Sequence, residues 1–211
     1  MRIVEMFKSI QGESSYAGNP CYFIRTSGCN LRCRWCDTTY AYDGGSEVDT
    51  HTIIQVVKNA NVDLVEITGG EPLLQPDLPE VVSTLISEGF RVLVETNGSL
   101  DIRKIDRRAV RIMDLKPPGS GMTDRMMWSN IEHLDKKDEV KFVISSRQDY
   151  LWSRDIISRF CLEKRCNILL SPVYGELDAK DLAQWMLDDG VKARLQLQLH
   201  KIIWGSRTRG K

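Results

Sequence analysis

Short apolar runs of strand length recur along this chain with amphipathic segments between them, and this alternation restricts the possible fold more than any other feature. The runs are 22–27 (YFIRTS), 64–68 (LVEIT), 91–95 (RVLVE), 110–114 (VRIMD), 140–145 (VKFVIS), 167–171 (NILLS) and 194–199 (RLQLQL). They are rich in β-branched and aliphatic residues, which suit strands. One intervening segment opens on Asp77-Leu78-Pro79-Glu80, continues through Val81, Val82, Leu85 and Ile86, and stops at Gly89, the pattern of a capped helix. A second runs from Asp178 through Leu182, Trp185 and Met186 to Gly190, and weaker helical patterns cover 50–60 and 148–160. The stretch 116–125 (KPPGSGMTDR) reads instead as a flexible loop.

Strands that alternate with helices predict a mostly parallel sheet of βαβ units, with functional residues at the carboxyl ends of the strands. Eight such units typically need about 250 residues, and the chain has 211. The expected architecture is therefore α/β: an open, incomplete TIM-like barrel in one domain covering 1–211. Basic and acidic residues are equal in number, 29 each, and are scattered along the chain, which argues against a dedicated nucleic-acid binder. The closing Arg207, Arg209 and Lys211 read as a solvated, frayed basic tail over 206–211. No apolar run approaches the roughly 20 residues that span a bilayer, and the first residues lack a signal core, so a cytoplasmic location without membrane contact is expected. In a reducing compartment the six cysteines are thiols or metal ligands rather than disulfides.

The spacing of three of them sharpens that choice. Cys29, Cys33 and Cys36 follow the first run as C-x3-C-x2-C, so one tight loop (28–38) presents three thiols. A structural zinc site or a ferredoxin cluster wants four protein ligands, and no fourth cysteine or histidine lies nearby. Three ligands on a four-iron cube would leave one iron open to an outside ligand. On the trio alone, a zinc knuckle or three unligated thiols stays open. Cys21, Cys161 and Cys166 are assigned no chemistry.

With Trp35 just before the last cysteine, the loop resembles that of the radical S-adenosylmethionine (SAM) superfamily. That resemblance implies a 4Fe-4S cluster on Cys29, Cys33 and Cys36, chelated at its open iron by SAM. One βα unit later comes Gly69-Gly70-Glu71-Pro72. Its glycines let the backbone approach a ligand, and its acid can pair with a cation. By itself this could be an ordinary strand-to-helix turn, but here it looks like the superfamily's motif for the SAM ammonium. Thr96, Asn97, Lys116, Lys141 and Ser171 stand at later strand ends and, with Trp35 and Asp37, are candidates for the rest of the SAM site. Turn or capping roles compete for each of them.

Beyond these motifs, the opening SIQGE, with Ile10, Gln11, Gly12 and Glu13, joins Arg25, Cys36-Asp37-Thr38 and the closing QLHK around His200. From about Val4 to Gly205 the combination resembles the 7-carboxy-7-deazaguanine synthase family. That resemblance implies a homodimer with a modified barrel that converts 6-carboxy-5,6,7,8-tetrahydropterin to 7-carboxy-7-deazaguanine and ammonia, in the deazapurine pathway to queuosine in tRNA. It implies a 5′-deoxyadenosyl radical that takes hydrogen from C6 and later returns it, so that SAM is regenerated. It further implies a magnesium ion at Thr38, an electron donor such as flavodoxin, and no direct contact with nucleic acid. Chemistry assigns the pterin's amide and amidine edge to Gln11 and Glu13 and its carboxylate to Arg25. Ile10, Gly12, Thr68 and His200 would complete that pocket. His200 also reads as a strand-end residue, and His51 and His133 as surface residues. Two alternatives stand beside this reading: a glycyl-radical activase, which would have no use for SIQGE, Arg25 or Thr38, and a non-enzymatic iron-sulfur redox protein, which predicts a fourth cluster ligand.

Overall fold

A computed structural model of the chain describes residues 1–205, 209 and 210. Its centre is one nine-stranded sheet with the order β3-β1-β2-β4-β5-β6-β7-β8-β9. The strands are β1 (Arg2–Ile10), β2 (Pro20–Thr26), β3 (Ser46–Glu47), β4 (Leu64–Gly69), β5 (Arg91–Thr96), β6 (Val110–Asp114), β7 (Glu139–Ile144), β8 (Asn167–Pro172) and β9 (Arg194–Leu195). From β2 to β9 every neighbouring pair is parallel, whereas β1 runs antiparallel to both β2 and β3. The sheet is open, ending on β3 and β9, as the chain length predicts.

Helices α1 (Thr50–Lys58), α2 (Leu78–Ser87), α3 (Arg147–Arg159) and α4 (Ala179–Asp188) fall where the periodicity places them. Asp49, Ser146 and Asp178 cap α1, α3 and α4 through side-chain oxygens. Asp77 does not cap α2 as the sequence predicts; its carboxylate takes the Met1 amino group at 2.8 Å instead.

Alternation along the strands divides their side chains between two layers. Val65 and Ile67 of β4 point to the helical side and join the large core with Val92, Val94, Phe142 and Leu170. The intervening positions form the inner face. Its lower part is an apolar plug of Cys21, Phe23, Leu64, Leu93, Val110 and Ile112. Two residues further along the same strands the inner face turns polar, at Arg25, Glu66, Glu95 and Asp114, which line a cavity. The chemistry therefore sits at the carboxyl ends of the strands.

Three local readings are corrected. The stretch 116–125 is not a free loop: it holds short 3-10 turns at Pro118–Ser120 and Thr123–Arg125, Ser120 is buried, and Gly119 N–H donates to Asp149 at 2.8 Å. The strand expected over 194–199 ends at Leu195, because the Gln196 side-chain amide takes the Leu197 carbonyl and Leu199 N–H turns to the Gly12 carbonyl at 2.9 Å. His200 consequently lies on a short helix, α5 (Leu199–Trp204), rather than on a strand. The basic tail is not wholly solvated, since the Arg209 guanidinium lies 4.1 Å from the centre of the Tyr40 ring. Arg207 and Lys211 lie outside the described residues.

Candidate active site

A cavity of about 520 Å³ opens at the carboxyl rim of the sheet, a size ordinary for a ligand site. Its walls bring together the residues predicted from distant parts of the chain: Ile10, Gln11, Gly12, Glu13, Arg25, Cys29, Cys33, Trp35, Cys36, Asp37, Thr38, Thr68, Gly69, Gly70, Thr96, Asn97, Lys116, Lys141 and His200. Glu71 and Ser171 are buried and do not line it.

The cysteine loop leaves β2 at Gly28, whose φ of +93° is left-handed, and Gly28 N–H bonds the Ala41 carbonyl at 2.8 Å. All three thiols are free and partly exposed to the cavity. Among the described residues no three His, Cys, Asp or Glu side chains converge on a point that one ion would fill. Three cysteines on one loop supply one thiolate to each of three irons of a 4Fe-4S cluster, whereas a structural zinc site wants four protein ligands. Cys29 Sγ accepts from Leu31 N–H at 3.4 Å and from Asn97 Nδ2 at 3.8 Å. Donors of this kind stabilise charge on a cluster's sulfurs. Burial pushes the Cys29 and Cys33 thiols up, so loading the metal must displace their protons.

Both glycines of the GGEP motif are required by packing. A Cβ on Gly69, at φ +150°, would meet Thr26, and one on Gly70 would stand 2.0 Å from the Gly28 carbonyl oxygen and 2.9 Å from Cys29 Cβ. They let the β4 end pass against the cysteine loop, and both also line the cavity. Glu71 is likewise spent within the protein: its carboxylate accepts from Leu73 N–H at 3.0 Å, Thr96 O–H at 2.8 Å and Asn97 N–H at 2.7 Å. Burial pushes its pKa up, against these donors. It thus fixes the end of β5 from behind, through Thr96 and Asn97.

Asp114 Oδ1 is buried in the cavity wall and, among the described residues, has no hydrogen-bond partner. Its other oxygen takes Lys116 Nζ at 2.9 Å. An orphaned acceptor of this kind asks for a donor from a ligand, such as a sugar hydroxyl. With three thiols, an orphaned carboxylate oxygen and a lysine in the lining, the residues fit a 4Fe-4S cluster bound to SAM.

A charge network joins Asp114 to other residues of the lining. Lys141 Nζ pairs with Glu13 at 2.8 Å, with Glu95 more closely still, and with Asp114 at 3.6 Å. Glu13 also accepts from Gln198 Nε2 at 2.7 Å. Burial acts to raise the Glu13 pKa, but Lys141, His200 and the two hydrogen bonds hold it down at about 2. Burial and the nearby Glu95 and Glu13 charges push Glu66 well above the ordinary carboxylate range. Glu66 in turn accepts from Gln11 Nε2, while Gln11 Oε1 accepts from Glu13 N–H at 3.0 Å. The Gln11 amide is thereby held in one orientation.

His200 packs on the SIQGE loop so closely that a Cβ on Gly12 would lie 2.3 Å from His200 Nδ1. Burial lowers the His200 pKa and favours the neutral ring, although Glu13 pulls the other way. Lys201, the next residue, ties α5 to the cysteine loop through Asp37 at 2.7 Å, and Thr38 O–H donates to the same carboxylate at 3.0 Å.

Sequence reasoning missed Glu5, Tyr40, Glu66 and Gln198 as cavity residues. Glu5 was out of reach because β1 was not read as a strand; its alternation is interrupted by a bulge between Ile3 and Glu5. For Glu66 the period-2 alternation within LVEIT, with Thr68 on the same face, was a usable signal.

Comparison with known proteins agrees with this geometry. The radical SAM superfamily model matches residues 23–118. A 7-carboxy-7-deazaguanine synthase of Koribacter versatilis is 40% identical over 225 residues, covering 100% of both chains. One from Chlorobaculum tepidum is 41% identical over 213 residues, covering 100% of this chain and 97% of its own. Among solved structures, QueE from Escherichia coli superposes with a TM-score of 0.75 at 22% identity, covering 93% of each chain. Streptococcus suis SuiB bound to S-adenosylmethionine does so with a TM-score of 0.54 at 15% identity, over 83% of this chain and 45% of that one.

Proposed function

The chain belongs to the radical SAM superfamily and within it to the 7-carboxy-7-deazaguanine synthase family, and from that premise we propose how its cavity divides between cofactor and substrate. The reaction is the radical ring contraction of 6-carboxy-5,6,7,8-tetrahydropterin to 7-carboxy-7-deazaguanine with loss of ammonia, a lyase reaction of the deazapurine and queuosine pathway. The observation that carries the proposed division is one cavity lined both by three thiols and by a guanidinium, an amide and carboxylates.

Cys29, Cys33 and Cys36 would hold the 4Fe-4S cluster. Trp35, Asp37, Gly69, Gly70, Thr96, Asn97, Lys116 and Asp114 would surround SAM, Glu71 acting through Thr96 and Asn97. When bound, cluster and SAM supply one-electron reduction and hydrogen-atom abstraction. Lys141 pairs with Glu13 and Glu95 and holds the Glu13 carboxylate charged, so Glu13 would receive the N–H groups of a pterin's amidine edge. Gln11, fixed by Glu66 and the Glu13 backbone, would meet the adjoining amide. The Arg25 fork suits the substrate carboxylate, with Thr68 and neutral His200 completing the pocket. The apolar plug of Phe23, Leu93 and Ile112 packs below this layer of the inner face.

The Thr38 hydroxyl, a hard oxygen donor on the cavity, would take Mg²⁺ together with several waters. An electron donor such as flavodoxin, a homodimeric assembly and a cytoplasmic location complete the reading; in support of the last, no helix among the described residues is long and apolar enough to cross a membrane.

The test is an anaerobic incubation of the reconstituted protein with SAM, reductant, Mg²⁺ and 6-carboxy-5,6,7,8-tetrahydropterin. The expected result is a product with the mass of 7-carboxy-7-deazaguanine. SAM cleavage without that product would keep the superfamily chemistry and remove the substrate assignment.

A further inference from the structure

Arg25 owes its setting to an irregularity in β1. Ile3 stands opposite Thr26, but the next antiparallel partner of β2, Arg25, faces Glu5 and not Val4. One extra residue is thus inserted in β1. In a regular ladder Val4 would oppose Arg25, and Glu5 would lie one position on, its side chain on the far face of the sheet. The bulge re-aims the carboxylate inward, a use that bulges beside active sites commonly have.

The result is an anchored guanidinium. Glu5 Oε1 accepts from Arg25 Nε at 2.7 Å and from the Tyr40 hydroxyl at 2.8 Å. The Tyr40 ring lies 5.9 Å from the guanidinium carbon. Side-chain exposures of 17% for Arg25 and 20% for Glu5 place the pair largely out of water. Among the described residues, the two terminal nitrogens of Arg25 donate to nothing, and both Glu5 and Arg25 line the cavity. One edge of the fork is occupied, and the other, the pair of Nη groups, is left facing the site.

We propose that Glu5 and Tyr40 are positioning residues: they hold Arg25 by its Nε so that its terminal fork is presented, edge-on, to the carboxylate of the substrate. The proposal rests on the substrate reading above. Glu5 also cancels much of the Arg25 charge, so carboxylate recognition depends here on the orientation of two parallel N–H bonds more than on net attraction. Loss of the anchor should weaken binding of a carboxylated pterin and spare a pterin without the carboxylate.

The experiment compares 6-carboxypterin with 6-methylpterin as ligands of the cluster-loaded enzyme, and measures KM and kcat for the true substrate. Wild type should prefer the carboxylated ligand. Glu5→Ala should raise the substrate KM about tenfold with kcat changed less than about threefold, and should lower the ligand preference by a similar factor. Glu5→Gln, which keeps an acceptor oxygen, should recover most of the loss. Tyr40→Phe keeps the ring and removes only the hydroxyl; it should raise KM about threefold and provides the same test if Glu5→Ala does not fold. A wild type that binds both pterins equally would remove the carboxylate role of Arg25 itself. A wild type that discriminates, with variants that discriminate as well as it does or that lose affinity for both ligands alike, would overturn the positioning role and leave the substrate reading intact.

Discussion

Gly70 lies against Gly28 so tightly that a β-carbon on Gly70 would stand 2.0 Å from the Gly28 carbonyl oxygen. Gly28 opens the cysteine loop and Gly70 belongs to the GGEP motif, so the two cofactor motifs are packed against each other backbone to backbone. Glu71 N–H reinforces the contact with a 2.7 Å bond to the same carbonyl. Gly70→Ala must push the cysteine loop outward, and displacement of reacting groups by about 1 Å can cost on the order of a hundredfold in rate. We expect a protein that folds with a normal circular-dichroism spectrum but retains less iron after reconstitution, with activity reduced about a hundredfold or more. Iron analysis beside the assay checks this.

Glu71 ties the β4 end to the β5 end. Glu71→Gln puts an amide NH2 where Leu73 N–H, Thr96 O–H and Asn97 N–H all need acceptors, so one of these donors loses its partner, at a cost of about 1–3 kcal/mol. SAM binding is expected to weaken about tenfold with iron content unchanged. A dissociation constant measured on the reconstituted enzyme decides the matter, and an unaltered value would show that Thr96 and Asn97 do not depend on Glu71.

At the opposite end of the sheet the Arg111 guanidinium is buried against Asp138, which accepts from Nε at 3.0 Å and from Arg111 N–H at 3.0 Å. Breaking a buried pair by removing one charge typically costs about 3–5 kcal/mol. Asp138→Asn should therefore lower Tm by roughly 6–20 °C, while kcat below the transition stays near wild type. Burial acts to raise the Asp138 pKa, but the Arg111 bonds and the backbone donors outweigh it and hold the carboxyl below its ordinary value. Because the folded-state pKa is the lower one, the contribution is fully present above about pH 4 and is lost as the pH falls through the folded value. The difference in stability between wild type and Asp138→Asn should accordingly narrow in acid, which denaturant titration at several pH values would reveal.

Much of this molecule was legible in its sequence, and the omissions have physical causes. The parallel strands announced themselves because each buries both faces, and such strands read as near-continuous apolar runs. β1 escaped notice because it is an outer, antiparallel strand with a bulge, carrying Glu5 and Lys8 among its apolar residues. The cysteine loop and GGEP were visible as motifs, but the packing of Gly70 on the Gly28 carbonyl was not, since only coordinates show that the neighbouring surface is another loop. The three donors that Glu71 meets were equally out of reach, since sequence does not show which N–H and O–H groups the fold brings to a carboxylate. His200 was expected on a strand because RLQLQL alternates perfectly. The alternation is overridden after Gln196, whose N–H still bonds the Leu170 carbonyl, where the Gln196 side chain takes the Leu197 carbonyl and Leu199 N–H turns to Gly12.

The most direct test of the central claim is the amount of 7-carboxy-7-deazaguanine formed per SAM consumed by the anaerobically reconstituted enzyme, with Cys33→Ala as control. Many products per SAM from wild type, and none from Cys33→Ala, are the predicted result. Accumulation of 5′-deoxyadenosine with no deazaguanine, or equal turnover by the Cys33→Ala protein, would contradict the account.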